Sequence, residues 1–165
     1  MDYETKILNS KNIPDLFEVV KKVVKEFSGK DQAGLMLGLS NLGIGGKAFI
    51  GAYYSLEANM IVINKQPLKR IRETNPSIYR YYLFHVILHE YMHSIGVYDE
   101  NEARQLVYNL TLNYFGSDHI LTQFASNLEK FMPNLTYPNI DFIQPSNINI
   151  EFVKGIDRNN INYIG

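Results

Sequence analysis

Apolar positions along the chain fall into helical and strand-like stretches. Between residues 12 and 28, Ile13, Leu16, Phe17, Val20, Val23, Val24 and Phe27 share one side, and Lys21, Lys22 and Lys25 share the other. That is an amphipathic packing helix, with Pro14 in its first turn and Gly29 at its exit. A second helix follows from Leu83, Val86, Ile87 and Ile95. Asn75 is its expected N-cap, Pro76 its first residue and Gly96 its end. Ala103, Leu106, Val107, Leu110 and Tyr114 mark a third helix running to about Phe115. Behind Ser117 as cap, Ile120, Leu121, Phe124, Leu128 and Phe131 mark a fourth, stopped by Pro133.

The strand signals lie mainly upstream. Residues 33–51 are rich in glycine and apolar side chains and read as a strand followed by a flexible loop. Gly43-Ile44-Gly45-Gly46-Lys47 is no phosphate loop, because Ala48 stands where Ser or Thr is required. Residues 49–64 read as a β-hairpin: Phe49 to Leu56 is rich in β-formers, Glu57-Ala58-Asn59 can turn, and Met60 to Asn64 is short and apolar. Pro67 is expected to stop that strand. Beyond 133 the chain is rich in Asn and Pro, and only the alternation around Ile148, Ile150 and Phe152 suggests a strand. The expected fold is α+β: a small mixed sheet or hairpin packed on the helix around residue 90, with further C-terminal helices. Residues 1–132 form the expected domain, and 133–165 an extended tail that could cover its cleft.

A length of 165 residues is enough for one domain with a real core. Net charge is −1, so nothing points to nucleic acid or an anionic membrane. No apolar run approaches a membrane span, and the polar N-terminus lacks the apolar stretch of a signal peptide. A cytoplasmic location is the expectation. There are no cysteines, which excludes disulfides, thiolate ligands and a thiol nucleophile.

The chemistry concentrates in His89-Glu90-Tyr91-Met92-His93. Two histidines four apart share a helix face and can hold one Zn2+. Glu90 beside them can take a proton from a metal-activated water. His85 extends the stripe, but lies about 12 Å along the axis and about 80° round from His93, so one ion cannot bind both. His85 is expected to be packed or to support a ligand. A catalytic zinc usually has a third protein ligand. Glu102 and Asp99 are the candidates, while Asp99-x-x-Glu102 is also a capping-box arrangement. Arg104 can hold a ligand carboxylate or simply face solvent.

His89-Glu90-x-x-His93 followed by Asn101-Glu102 resembles the gluzincins, and the short gap resembles the minimal minigluzincins. The resemblance covers about residues 49–115. It implies a zinc metallopeptidase with His89, His93 and Glu102 as metal ligands and Glu90 as general base. It further implies a peptide or protein substrate, and a terminal segment able to cross the cleft and hold the enzyme latent. His93-x-x-Gly96-x-x-Asp99 also resembles the metzincin pattern, with Asp99 as third ligand and Met132 as the available Met-turn residue. Oxyanion stabilisation would fall to His119, Tyr98, Tyr108 or Tyr137. The alternative to catalysis is a zinc-stabilised binding or regulatory domain, whose metal would be closed by a fourth protein ligand.

Overall fold

A computed structural model of the chain describes residues 2–43, 48–138 and 148–156. Helices α1 (Tyr3–Asn9) and α2 (Ile13–Ser28) come first. Strands β1 (Met36–Ser40), β2 (Phe49–Ile50), β3 (Ala52–Ser55) and β4 (Met60–Asn64) follow. Then come α3 (Lys65–Thr74), α4 (Tyr79–Ser94), α5 (Glu100–Phe115) and α6 (Ile120–Asn127), and finally β5 (Leu135–Thr136) and β6 (Glu151–Phe152). This is the expected α+β class.

Each helix has a local cause. The Asn12 side chain caps α2 by accepting from the Asp15 N–H at 2.9 Å, and Gly29 takes a left-handed φ of 76° to end it. Helix α4 differs from the amphipathic α2. Every residue from Tyr82 to Ser94 is buried, so it has no solvent face over that length. It packs against α1, α2, α3, α5 and α6 and against β3 and β4. A helix apolar on nearly all sides must be enclosed in this way.

The main sheet has the order β3-β4-β1-β6. Strand β1 runs parallel to β4, from Met36 opposite Met60 to Ser40 opposite Asn64. Strand β3 is antiparallel to β4, and β6 is antiparallel to β1. Tyr53, Met60 and Val62 form a second small core, closed by Leu42, Ile148 and Ile150. Of the tail strand expected around Ile148, Ile150 and Phe152, only Glu151–Phe152 forms, while Ile148 and Ile150 pack on the domain ahead of it.

Several local expectations change. The hairpin begins only at Ala52, because the chain bends at Gly51. Phe49 and Ile50 pair instead in parallel with β5. Gly51 is required there: a Cβ would meet the Tyr82 hydroxyl at 2.8 Å and Leu135 Cδ1 at 2.9 Å. Pro67 sits in the first turn of α3, where a missing N–H is harmless. Asn75 closes α3, and a single 3-10 turn over Pro76–Ile78 leads into α4. His119, not Ser117, caps α6. Helix α1 is short, and α3 has only Pro67, Leu68 and Ile71 buried, too brief a stripe to stand out in the sequence.

One buried side chain ties these pieces together. Asn64 donates to the Gly43 and Ile50 carbonyls at 2.7 and 2.8 Å and accepts from the Leu42 and Gln66 N–H groups at 3.0 and 3.2 Å. Asn64→Ala would strand those four backbone groups, each costing about 1–3 kcal/mol if it stays dry. The expected loss is about 3 kcal/mol, read as a lower urea midpoint at unchanged m-value.

Candidate metal centre

The site is built where the end of α4 meets the start of α5. His89, Glu90 and His93 are each about 2% exposed or less, and one ligand atom from each lies within 4.8 Å of the others. This buried group could hold a metal ion. Spacing of one and four on the helix produces the cluster. The tight exit after Ser94 then turns the chain back, with Gly96 at φ 108°. In that turn the Val97 carbonyl accepts from His93 Nδ1 at 2.7 Å. This bond fixes the imidazole tautomer and leaves Nε2 as the lone-pair nitrogen, the arrangement a metal-binding histidine needs.

The carboxylate that reaches the pair is Glu100. It contacts His89 Nε2, and its second oxygen lies 3.3 Å from His93 Nε2. Glu102 is exposed instead, and its backbone N–H donates to the Asp99 carboxylate at 2.9 Å. Asp99 is likewise exposed and serves as the N-cap of α5. The cause is helical phase. Residues two apart differ by about 200° round a helix, so 100 and 102 cannot face the same neighbour. The buried stripe of α5 runs through Ala103, Val107 and Leu110. Extended back by three residues from Ala103, or seven from Val107, that stripe reaches Glu100. That signal lies in the sequence, whereas the Asn101-Glu102 pair of the gluzincin resemblance falls on the exposed side of α5.

Burial dominates the electrostatics. It pushes Glu90 well above the usual carboxylate range, and the nearby Glu100 charge pushes the same way. Burial also lowers His89 and outweighs the carboxylate of Glu100. For Glu100 burial acts upward, but the hydrogen bond with His89 and the two neighbouring imidazoles outweigh it and hold the carboxyl at about 2. A neutral imidazole and an ionised carboxylate are the forms that ligate a metal. Among the described residues, Glu90 Oε2, His93 Nε2 and Glu100 Oε2 are buried without a hydrogen-bond partner. Three orphaned polar atoms in one place are costly unless something binds there. The donor set thus fits a metal ion: two imidazoles and a carboxylate, with Glu90 beside them.

The surroundings form a wall. Tyr137 stacks on His89 with ring centroids 4.0 Å apart, and its hydroxyl lies 2.8 Å from His85 Nε2. Arg104 lies over the Tyr137 ring as a cation–π pair at 4.9 Å, and its Nε is 3.9 Å from Glu100. It therefore stands over the carboxylate at long range rather than gripping it. A cavity of about 240 Å³ opens beside His85, His89, Arg104, Phe124 and Tyr137. Of the proposed oxyanion donors, Tyr137 touches the cluster, whereas His119 bonds Glu4 at 2.5 Å and Tyr98 is exposed. Tyr137 lay in the low-pattern tail, where no periodicity marks a contact. Comparison of the chain with protein-family models, curated proteins and solved structures gives no match. No helix among the described residues is long and apolar enough to cross a membrane.

His85 gives a direct test of this burial. Its packing holds the imidazole down at about 3, against an ordinary value near 6.5. Below pH 6.5 the unfolded chain binds a proton that the folded chain refuses, so stability falls as pH drops towards 3. His85→Gln is expected to flatten that acid-side slope by up to about 1.4 kcal/mol per pH unit, read from urea midpoints at a series of pH values.

Proposed function

We propose that the protein is a zinc-dependent hydrolase of peptide bonds, with His89, His93 and Glu100 as metal ligands and Glu90 as general base. The observation that carries this reading is the orphaned set of buried donors, Glu90 Oε2, His93 Nε2 and Glu100 Oε2, around two imidazoles. Nitrogen and oxygen donors without a thiolate suit zinc, and three protein ligands leave a coordination position for catalysis. A bound zinc would polarise the scissile carbonyl and acidify water at that position. The chain supplies the rest. Val97 orients His93, α5 brings Glu100 to both imidazoles, and Glu90 sits beside them in a dry environment that raises its proton affinity. A carboxyl poised in this way accepts a proton from water and returns it to the leaving amine. The wall of Tyr137 and Arg104 limits access to His89 and, with the adjoining cavity, supports recognition of a substrate side chain. Strand β3 lies at an edge of the sheet beside α4, where an extended peptide can add by main-chain hydrogen bonds. The resemblance to gluzincins supports the same reading, with the third ligand moved two residues upstream.

Elemental analysis with four proteins tests it. Wild type and Glu90→Gln should each carry about one zinc per chain, Glu100→Ala should lose it, and Glu102→Ala should keep it. Hydrolysis of a quenched peptide library should fall by about 10²–10⁴-fold in Glu90→Gln. Zinc retained in Glu100→Ala, or full turnover in Glu90→Gln, refutes the assignment.

A further inference from the structure

A wide cavity lies at the other end of α4. It measures about 1570 Å³ and is lined by the α1–α2 turn, α3, the start of α4 and strand β6. Tyr79, Arg80 and Leu83 of α4 border it; Tyr79 and Leu83 stand ten residues before His89 and His93, hence about 15 Å along the helix axis. Its floor is aliphatic, with Leu16, Leu39, Leu68 and Leu83. Its rim is basic: Lys11, Lys65, Lys69, Arg72, Arg80 and Lys154 border it, against Glu73 and Glu151. Glu151 is already met by Lys65 at 3.3 Å. A chain with net charge −1 thus gathers six of its 16 cationic residues round one groove.

Two of these cations are held in position. Arg80 Nε donates to the Ser10 carbonyl at 3.0 Å. Arg72 donates to the Tyr79 hydroxyl at 2.6 Å and lies over that ring. Fixed guanidiniums lose little freedom on binding a carboxylate. One side of the groove is β6, an outer strand of the sheet, paired with β1. Among the described residues no strand pairs with its other edge, where a further extended backbone can add. Phe152 on this strand is 55% exposed.

From this we infer that the groove is a docking site for an acidic polypeptide segment bound in extended form along β6. The cavity exceeds the roughly 300–1,000 Å³ of a small-molecule pocket, so a polymer fits better than a metabolite. The aliphatic floor favours apolar side chains alternating with carboxylates. Nucleic acid is less well matched, because base stacking along a strand needs successive open aromatic faces, and of the two aromatic side chains lining the groove Tyr79 already carries Arg72, which leaves Phe152. The inference is independent of the metal centre.

The test is fluorescence anisotropy on the full chain with a labelled peptide of alternating Glu and Leu. The same peptide with Lys for Glu, and an oligothymidylate of equal length, serve as comparators. Saturable binding of the acidic peptide is expected, weakening as salt rises. It should weaken by about tenfold or more in Lys69→Glu/Lys154→Glu. It should hold in Lys22→Glu/Lys30→Glu, which makes the same change in net charge on exposed positions elsewhere. Binding should also persist in Glu90→Gln, which separates the groove from the metal centre. Three results overturn the inference: no saturable binding, equal weakening in both double variants, or tighter binding of the oligothymidylate with the same dependence on Lys69 and Lys154.

Discussion

The structure depends on burying a helix that carries ionisable groups. From Tyr82 to Ser94, α4 has no exposed residue, yet this stretch includes His85, His89, Glu90 and His93. Dry polar groups are costly, so each must be neutral, partnered or ligated. His85 takes the first and second routes, held neutral and bonded to Tyr137. His93 gives one nitrogen to the Val97 carbonyl. Glu100 reaches in from the next helix to meet what is left. Three buried atoms without a hydrogen-bond partner, Glu90 Oε2, His93 Nε2 and Glu100 Oε2, belong to this cluster, so packing as well as the motif supports a metal-binding reading.

The same demand shapes the surrounding fold. Strands β3 and β4 cover one side of α4, and helices enclose the others. Gly51 allows the chain to pass close over Tyr82, and this bend frees Phe49 and Ile50 to pair with β5. Pairing with β5 leads the chain directly to Tyr137 on the imidazole of His89. A glycine at the bend between β2 and β3 thus decides which residue walls the site. Asn64 secures the arrangement by bonding backbone at Leu42 and Gly43 after β1, at Ile50 in β2 and at Gln66 in the start of α3.

Helix α4 also separates two environments of opposite character. Its C-terminal end holds a dry cluster with carboxylates. Its N-terminal end borders a wide groove rimmed by cations over an aliphatic floor. A rigid helix between them keeps the two about 15 Å apart.

The sequence alone determined the elements whose signals are local and strong. The face of α2, the spacing of His89, Glu90 and His93, and the α+β class all follow from helical period and β-propensity within a few turns. It also contained the phase of α5, in the stripe through Ala103, Val107 and Leu110, and that phase turns Glu100 rather than Glu102 towards the two imidazoles. Only the tertiary structure decided the rest. The pairing of Phe49 with Leu135 joins residues 86 positions apart, with no periodicity to announce it. The contact of Tyr137 with His89 and the basic groove are likewise made by distant segments. Local chemistry fixes which way a side chain points on its own element. Which element lies opposite is set by how a buried helix finds enough neighbours to cover it.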